Sequence, residues 1–435
     1  MEMQIFLTVA VALFAGLMLT RVFKKMGFNF PDVTAFLIAG LLIGPYCLGR
    51  LGIPGIGFNN FEQVASLSVL NNAALGFIAF SIGSEFRLSA LKLNGRAATI
   101  IGIVQACVAS AIVDVVLIIL HFVLGPDILS LPAAITLGAI AAATAPAATL
   151  MVVRQYKAEG PLTRLLLPIV ALDDAVGLVI FSVSFGVARA LQGGAIDVIS
   201  VAINPALEII ASLVLGAALG AVLSKIEKLF YSNTNRLSIT ISFVLLTIAL
   251  SFLEIPVGPV TISFSSLLVC MMLGTIFCNM SEFSEDIMQR AEKWTAPLNA
   301  IFFVLNGADL NLSVFANPAY VLIGIVYIIS RSFGKYVGAR ESARFCGCDK
   351  NVVDYLGITL LPQAGVALGM CVQAEALGDP TGTIIRNVTL FGVLIYELFG
   401  PLMTREALKK AGEIAPTPKE KQSHDRFQKN AKAAH

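Results

Sequence analysis

Two adjacent aspartates, Asp173 and Asp174, interrupt the apolar run "LPIVALDDAVGLVIFS" over residues 167–182. A charged carboxylate at the centre of a bilayer costs about 2.5–3.5 kcal/mol or more, so a pair calls for partners. Neighbours on a helix project about 100° apart, and the two cannot serve one contact. One can meet a cation on another helix while the other faces a water-filled cavity. Lys335, within the apolar run 318–339, is the natural partner, and Arg331 lies one turn earlier on the same face. A low-dielectric site disfavours the charged form of acid and amine alike. Such groups can give up protons when a small hard cation arrives with its own charge. Na⁺ wants oxygen ligands, which the carboxylates, Thr144 and unwound carbonyls could supply. The arrangement suits proton-coupled exchange of such a cation. A structural ion pair with Lys335 and Arg331 is the plainer reading, but two adjacent acids exceed what it needs.

The other polar residues in apolar runs suit lesser roles. Asp114 and Glu208 lie toward the ends of their runs, where an interfacial role is expected. Gln105 and Gln363 could hydrogen-bond between helices. His121 lies near an outer end, and His424 and His435 sit in the polar tail, so none is expected to carry the proton. The seven cysteines are scattered, and a metal at Cys346-Gly-Cys348 is a minor reading. Without a Walker A motif or a large soluble domain, an ATP-driven pump is disfavoured.

Elements that could hold such a site must span a membrane. The chain of 435 residues is 57% hydrophobic and 13% charged, where a soluble domain carries about 25% charged residues. The fold class is therefore an all-α polytopic membrane protein. Punctuation of the apolar runs predicts thirteen spans, near 3–21, 32–49, 64–84, 97–123, 130–152, 163–188, 202–223, 237–253, 258–280, 294–310, 318–339, 352–376 and 383–404. Basic residues gather in alternate loops, among them Arg21, Lys24, Lys25, Arg154, Lys157, Lys225 and Lys228, while the other set holds Arg50, Arg189 and Arg386. The positive-inside rule then places the N-terminus outside and the C-terminus in the cytoplasm. The first run is long enough to be a span and lacks a preceding basic region, so no cleaved signal is expected.

The spans repeat. "GSEFRLS" (83–89) matches "GADLNLS" (307–313), and "APAATLMVVRQYKAEG" (145–160) aligns with "LPQAGVALGMCVQAEALG" (361–378). The first motif ends span 3 at the inner face and its partner ends span 10 at the outer face. Two inverted six-helix repeats joined by a linker helix follow, an architecture in which discontinuous helices build a midplane site. Pro146 and Pro362 mark the expected breaks, since proline removes a helical hydrogen bond. Two simple kinks are the alternative.

These residues resemble the monovalent cation:proton antiporters, in particular the branch containing bacterial Na⁺/H⁺ antiporters. The resemblance covers about residues 1–405 and rests on "FLIAGLLIGP" (36–45), "FSIGSEFRL" (80–88), "LDDAVG" (172–177), "RSFGKYVGAR" (331–340) and "LLPQAGVALG" (360–369). It implies that Asp174 is the carboxylate that binds Na⁺, Li⁺ or H⁺, that Asp173 faces Lys335 in a salt bridge, and that Thr144 lies next to the site on the first broken helix. Arg331, Gln363, Pro146 and Pro362 would support it. It also implies crossed discontinuous helices and a homodimer with scaffold helices in 1–93 and 226–312. Moving core helices would lie in 94–190 and 313–405, a linker in 191–225 and a disordered tail in 406–435. Alternating access would be elevator-like. Asp rather than Asn at 173 points to the electrogenic type. Gln363-Ala364-Gly365 departs from the Gly-Glu pair of many relatives, with K⁺ the alternative cation. A Na⁺-coupled organic-anion symporter on a related fold is a further alternative. No enzyme activity, cofactor or nucleic acid is expected. The partners are a monovalent cation, protons and membrane lipid, and the location is a bacterial inner membrane.

Overall fold

A computed structural model describes residues 2–26, 30–53, 57–84, 88–192, 203–257, 260–310, 312 and 316–414, with residues 2–5, 88–94, 174–175, 204–205, 257, 260, 365 and 372 described by backbone alone. Helices follow the apolar runs, because hydrocarbon offers no partner for backbone groups and a helix satisfies them internally. In chain order they are α1 (Glu2–Met26), α2 (Asp32–Ile43), α3 (Phe61–Ala65), α4 (Ser68–Gly83), α5 (Leu88–Leu124), α6 (Leu131–Ile140), α7 (Pro146–Tyr156), α8 (Pro161–Leu191), α9 (Asn204–Ile226) and α10 (Asn233–Ser251). There follow α11 (Ser266–Met280), α12 (Ser284–Asp309), α13 (Pro318–Phe345), α14 (Lys350–Thr359), α15 (Gly365–Ala374) and α16 (Thr381–Lys410). Among the described residues, eight helical segments are long and apolar enough to cross a membrane, and four shorter helices are apolar as well.

Two local expectations are corrected. The run expected as one span over 258–280 is helical only from Ser266. Before it, β1 (Ile255–Val257) and β2 (Val260–Ile262) pair antiparallel, with Val257 opposite Val260. Pro256 withholds a backbone donor there, and Val260, Thr261 and Ile262 favour an extended chain. The tail expected to be disordered from 406 stays helical to Lys410. Glu413, buried, then accepts hydrogen bonds from Leu162 N (2.7 Å), Thr163 N (2.8 Å) and Thr163 Oγ1 (2.6 Å). A carboxylate satisfies unpaired amides at a helix start and opposes the positive end of its dipole. The rest of the tail lies outside the described residues, as do positions 85–87 of one repeat motif and 311 and 313 of the other.

Glycines let the helices approach. A Cβ on Gly40 of α2 would lie 2.0 Å from Val304 O of α12, and one on Gly307 of α12 would lie 2.1 Å from Leu37 O of α2. Helices α4 and α11 repeat the arrangement: Gly83 would meet Met271 O at 1.9 Å, and Gly274 would meet Phe80 O at 2.1 Å. Small residues at such crossings bring the backbones into van der Waals contact. α13 packs along α5, with Gly334 and Gly338 against Ala109 and Gln105. α5, α6, α8 and α13 to α16 pack on one another, as do α1, α2, α4 and α9 to α12. α7 and α16 reach across to α2, and α7 also to α4.

Candidate functional site

The site is built where two helices stop and restart. α6 is capped by Ser130, whose side chain accepts from Ala133 N, and ends at Ile140; α7 resumes at Pro146. Proline suits a first helical position, where its missing N–H would have no helical partner. α14 ends at Thr359, and α15 resumes at Gly365 after Leu361-Pro362-Gln363-Ala364. The breaks join through a hydrogen bond from Ala145 N to Pro362 O, 2.8 Å long. Each leaves carbonyls with no helical partner, and these carry the partial negative charge of a helix C-terminus.

Two cations of α13 answer those carbonyls. Arg331, fully buried, donates from Nε to Ala141 O (3.0 Å), from Nη2 to Ala143 O (2.6 Å) and from Nη1 to Leu361 O (2.7 Å). Its guanidinium thus ties both breaks together, a task for which a planar fork of donors is suited. The Tyr396 ring lies 4.5 Å from it. One turn on, Lys335 Nζ donates to Ala142 O (2.6 Å), Thr144 Oγ1 (2.9 Å) and Asp173 Oδ2 (3.0 Å). Lys335 and Asp173 are both 0% exposed, so this is an ion pair wholly removed from water. The Thr144 hydroxyl can donate to Asp173 Oδ2 (2.6 Å) or to Leu360 O (3.3 Å). The second oxygen of Asp173 accepts from Gln105 Nε2, which also donates to Gly102 O at 3.0 Å. Gln363 Nε2 donates to Ile140 O and to the Tyr327 hydroxyl, both at 2.9 Å.

Of the residues expected at the site, the structure brings together Asp173, Thr144, Lys335, Arg331, Gln363 and Pro362, with Pro146 opening α7 beside them. Asp174 follows Asp173 in α8, but its side chain lies outside those described. Gln105, expected only to bridge helices, bonds the carboxylate directly; a lone glutamine in an apolar run was its one signal. Tyr327 was not anticipated, because a tyrosine in an apolar run is an ordinary core residue. Glu208 and His121 take local partners, Ser263 Oγ at 3.3 Å and Leu129 O at 2.6 Å. Asp114 packs on Gly138 of α6.

Chemically, the cluster holds one buried carboxylate against two permanent or potential cations, in a cage of carbonyl and hydroxyl oxygens. Exchanging a proton for a metal cation inside it changes no net charge at the acid.

Comparisons with known proteins bear on the family and the fold. The family model described as sodium/hydrogen exchanger, transmembrane, matches residues 9–410. The Na⁺/H⁺ antiporter NhaS4 of Synechocystis is 24% identical over 410 residues, covering 92% of this chain and 96% of its own. Two structures of the sodium proton antiporter MjNhaP1 from Methanocaldococcus jannaschii share the fold. One superposes with a TM-score of 0.68 at 17% identity, covering 94% of this chain and 99% of that one. The other gives 0.72 at 18% identity, covering 94% and 98%.

Proposed function

The chain belongs to the sodium/hydrogen exchanger family, a family of multi-pass membrane transporters, and from that premise we propose that it exchanges Na⁺ or Li⁺ for H⁺. The observation that carries the proposal is the Asp173 carboxylate, buried between Thr144 and Lys335 where two helix breaks meet, with Asp174 next along the helix. Asp174 is the carboxylate that takes the cation or the proton. Asp173 holds Lys335, and the incoming cation releases that bond; Lys335 then yields a proton to solution. Arg331 keeps the two breaks aligned throughout, since its three carbonyl bonds involve neither aspartate. Two cations against Asp173 alone leave an excess of positive charge, which an ionised Asp174 neutralises before a metal ion can enter.

Further parts of the reading are thirteen spans in inverted repeats, an electrogenic cycle, elevator-like movement and a homodimer, in an inner membrane with the C-terminus in the cytoplasm. The glycine contacts support the repeat: a duplication that maps Gly83 onto Gly307 maps the α4–α11 crossing onto the α12–α2 crossing.

The test is exchange in everted vesicles carrying a pH gradient, with Na⁺, Li⁺ or K⁺ added from neutral to alkaline pH. Collapse of the gradient by Na⁺ or Li⁺ is expected. A response to K⁺ alone changes the cation, and no response to any of the three overturns the proposal. Asp174→Asn should abolish exchange while the protein still reaches the membrane; retained activity removes Asp174 from this role.

A further inference from the structure

The end of α16 folds back onto the helix that bears Asp173. Glu413 N donates to Leu408 O and Gly412 N to Lys409 O, both at 3.0 Å, and Gly412 has a left-handed φ of 80°. A glycine in that conformation closes a helix and turns the chain away from it. The turn brings the Glu413 side chain to the start of α8, where it accepts from Leu162 N, Thr163 N and Thr163 Oγ1. The main chain joins in: Glu159 N donates to Glu413 O at 3.1 Å, and Asn351 Nδ2 of α14 donates to Ala411 O at 3.0 Å. Ile414 is buried in one apolar core with Leu162 and Leu166 of α8 and Leu356 of α14. Residues 411–414 thus join α16, α8 and α14.

The choice of cap sets this contact apart. Leu162 and Thr163 are the second and third residues of α8, whose amides an N-cap Ser, Thr, Asp or Asn ordinarily satisfies. The N-cap here is Gly160, which offers no side chain. Glu413 caps Leu162 from 251 residues away in sequence. It leaves no room for a local substitute, since a Cβ on Gly160 would lie 2.3 Å from Glu413 Cδ. A local cap would satisfy the same amides without joining two helices. The chain instead carries a cap that works only while α16 and α8 hold one relative position. All three joined helices lead to the exchange site. Asp173 lies ten residues beyond Thr163, about 15 Å along α8. α14 ends at the second helix break. Gly400 of α16 packs on Pro362 within that break, where a Cβ would lie 3.0 Å from the ring, and the Tyr396 ring of α16 lies against Arg331.

We propose that Glu413 is a positioning residue of the exchange site: by capping α8 from the end of α16, it fixes the height of the Asp173 carboxylate against the second helix break. The proposal rests on the antiporter reading. Asp173 meets Lys335 and Thr144 at hydrogen-bond distance, and a helix free to slide or tilt at its first turn would offer that carboxylate at a range of heights. A misplacement of about 1 Å is enough to weaken a reacting arrangement severely. Glu413 acts through α8 and touches neither the cation nor the proton.

The test separates the tie from the cap. Glu413→Ala removes both. Gly160→Asp/Glu413→Ala removes the tie but supplies a local cap, because shortening Glu413 frees the space beside residue 160, whose extended backbone (φ 165°) admits any residue. Unfolding temperature in detergent and the half-saturating Na⁺ concentration of exchange in proteoliposomes are measured for both, for Glu413→Gln and for wild type. Glu413→Ala should lower the unfolding temperature and raise half-saturation about fivefold. The capped variant should regain most of the unfolding temperature and keep the raised half-saturation. Glu413→Gln, which retains one acceptor oxygen on the tie, should fall between wild type and Glu413→Ala. A wild-type half-saturation in the capped variant overturns the proposal, because the contact is then a helix cap and nothing more. So does a wild-type half-saturation in Glu413→Ala. If Glu413→Ala does not assemble, the capped variant decides. A second readout needs no transport: amide hydrogen exchange over residues 168–178 should be faster in the capped variant than in wild type. Equal exchange in the two proteins defeats the proposal. Faster exchange in the variant of a protein whose wild type transports no cation defeats the antiporter reading alone.

Discussion

Lys335 serves three acceptors with one ammonium, and the consequence of removing it can be stated. Lys335→Ala leaves the Asp173 carboxylate uncompensated in a dry interior, a loss worth about 3–5 kcal/mol where a buried pair is broken on one side. A clear fall in the unfolding temperature in detergent is expected, with partial recovery in Lys335→Ala/Asp173→Ala, which buries no lone charge. Equal stability of single and double variants would contradict this. Arg331→Lys should also destabilise, because an ammonium cannot reach Ala141 O, Ala143 O and Leu361 O together; each carbonyl left bare costs about 1–3 kcal/mol. At this scale the sequence was readable where charge met hydrocarbon. Asp173, Lys335 and Arg331 stood out because such residues are rare in apolar runs. The carbonyls of Ala141, Ala142 and Leu361, which do as much of the binding, carry no side-chain signal.

Helix ends and crossings set the next level. Gly40→Val should separate α2 from α12, since Val304 O leaves no room for even a Cβ, and should be seen as poor membrane yield or a lowered unfolding temperature. Gly52, with open space around it, should accept alanine more readily despite its left-handed backbone. The end of α7 makes a different prediction. Arg154 pairs with Glu292 of α12 at 2.9 Å, and Gln155 Oε1 accepts from Asp32 N of α2 at 2.7 Å. These contacts tie the first broken helix to the other helix group. The Arg154–Glu292 pair is partly exposed and worth only about 0–1 kcal/mol in stability. Reversing one charge should therefore alter exchange rate more than unfolding temperature, and the double swap Arg154→Glu/Glu292→Arg should restore the rate. A swap no better than the singles would show that the pair does not matter for movement. The proline breaks at 146 and 362 were legible, because proline states its backbone effect in its identity. The β1–β2 hairpin was not, since Val, Ile and Thr are as common in membrane helices as in strands.

At the scale of the whole molecule, apolar runs and their punctuation conveyed the all-helical membrane class, and the double aspartate with its distant lysine conveyed the family. Which helices group together was less accessible, because packing in a bilayer follows small residues and backbone approach rather than a contrast between polar and apolar faces. The C-terminus shows the limit well. The sequence reads as tail from residue 406 onward, yet Glu413 is pinned to the first turn of α8, the helix that bears both aspartates. That contact fixes where the chain can be edited. A fusion partner, affinity tag or protease site placed after residue 414 leaves the first amides of α8 satisfied. The same addition three residues earlier removes their acceptor, and a truncation chosen from hydropathy alone would cut there.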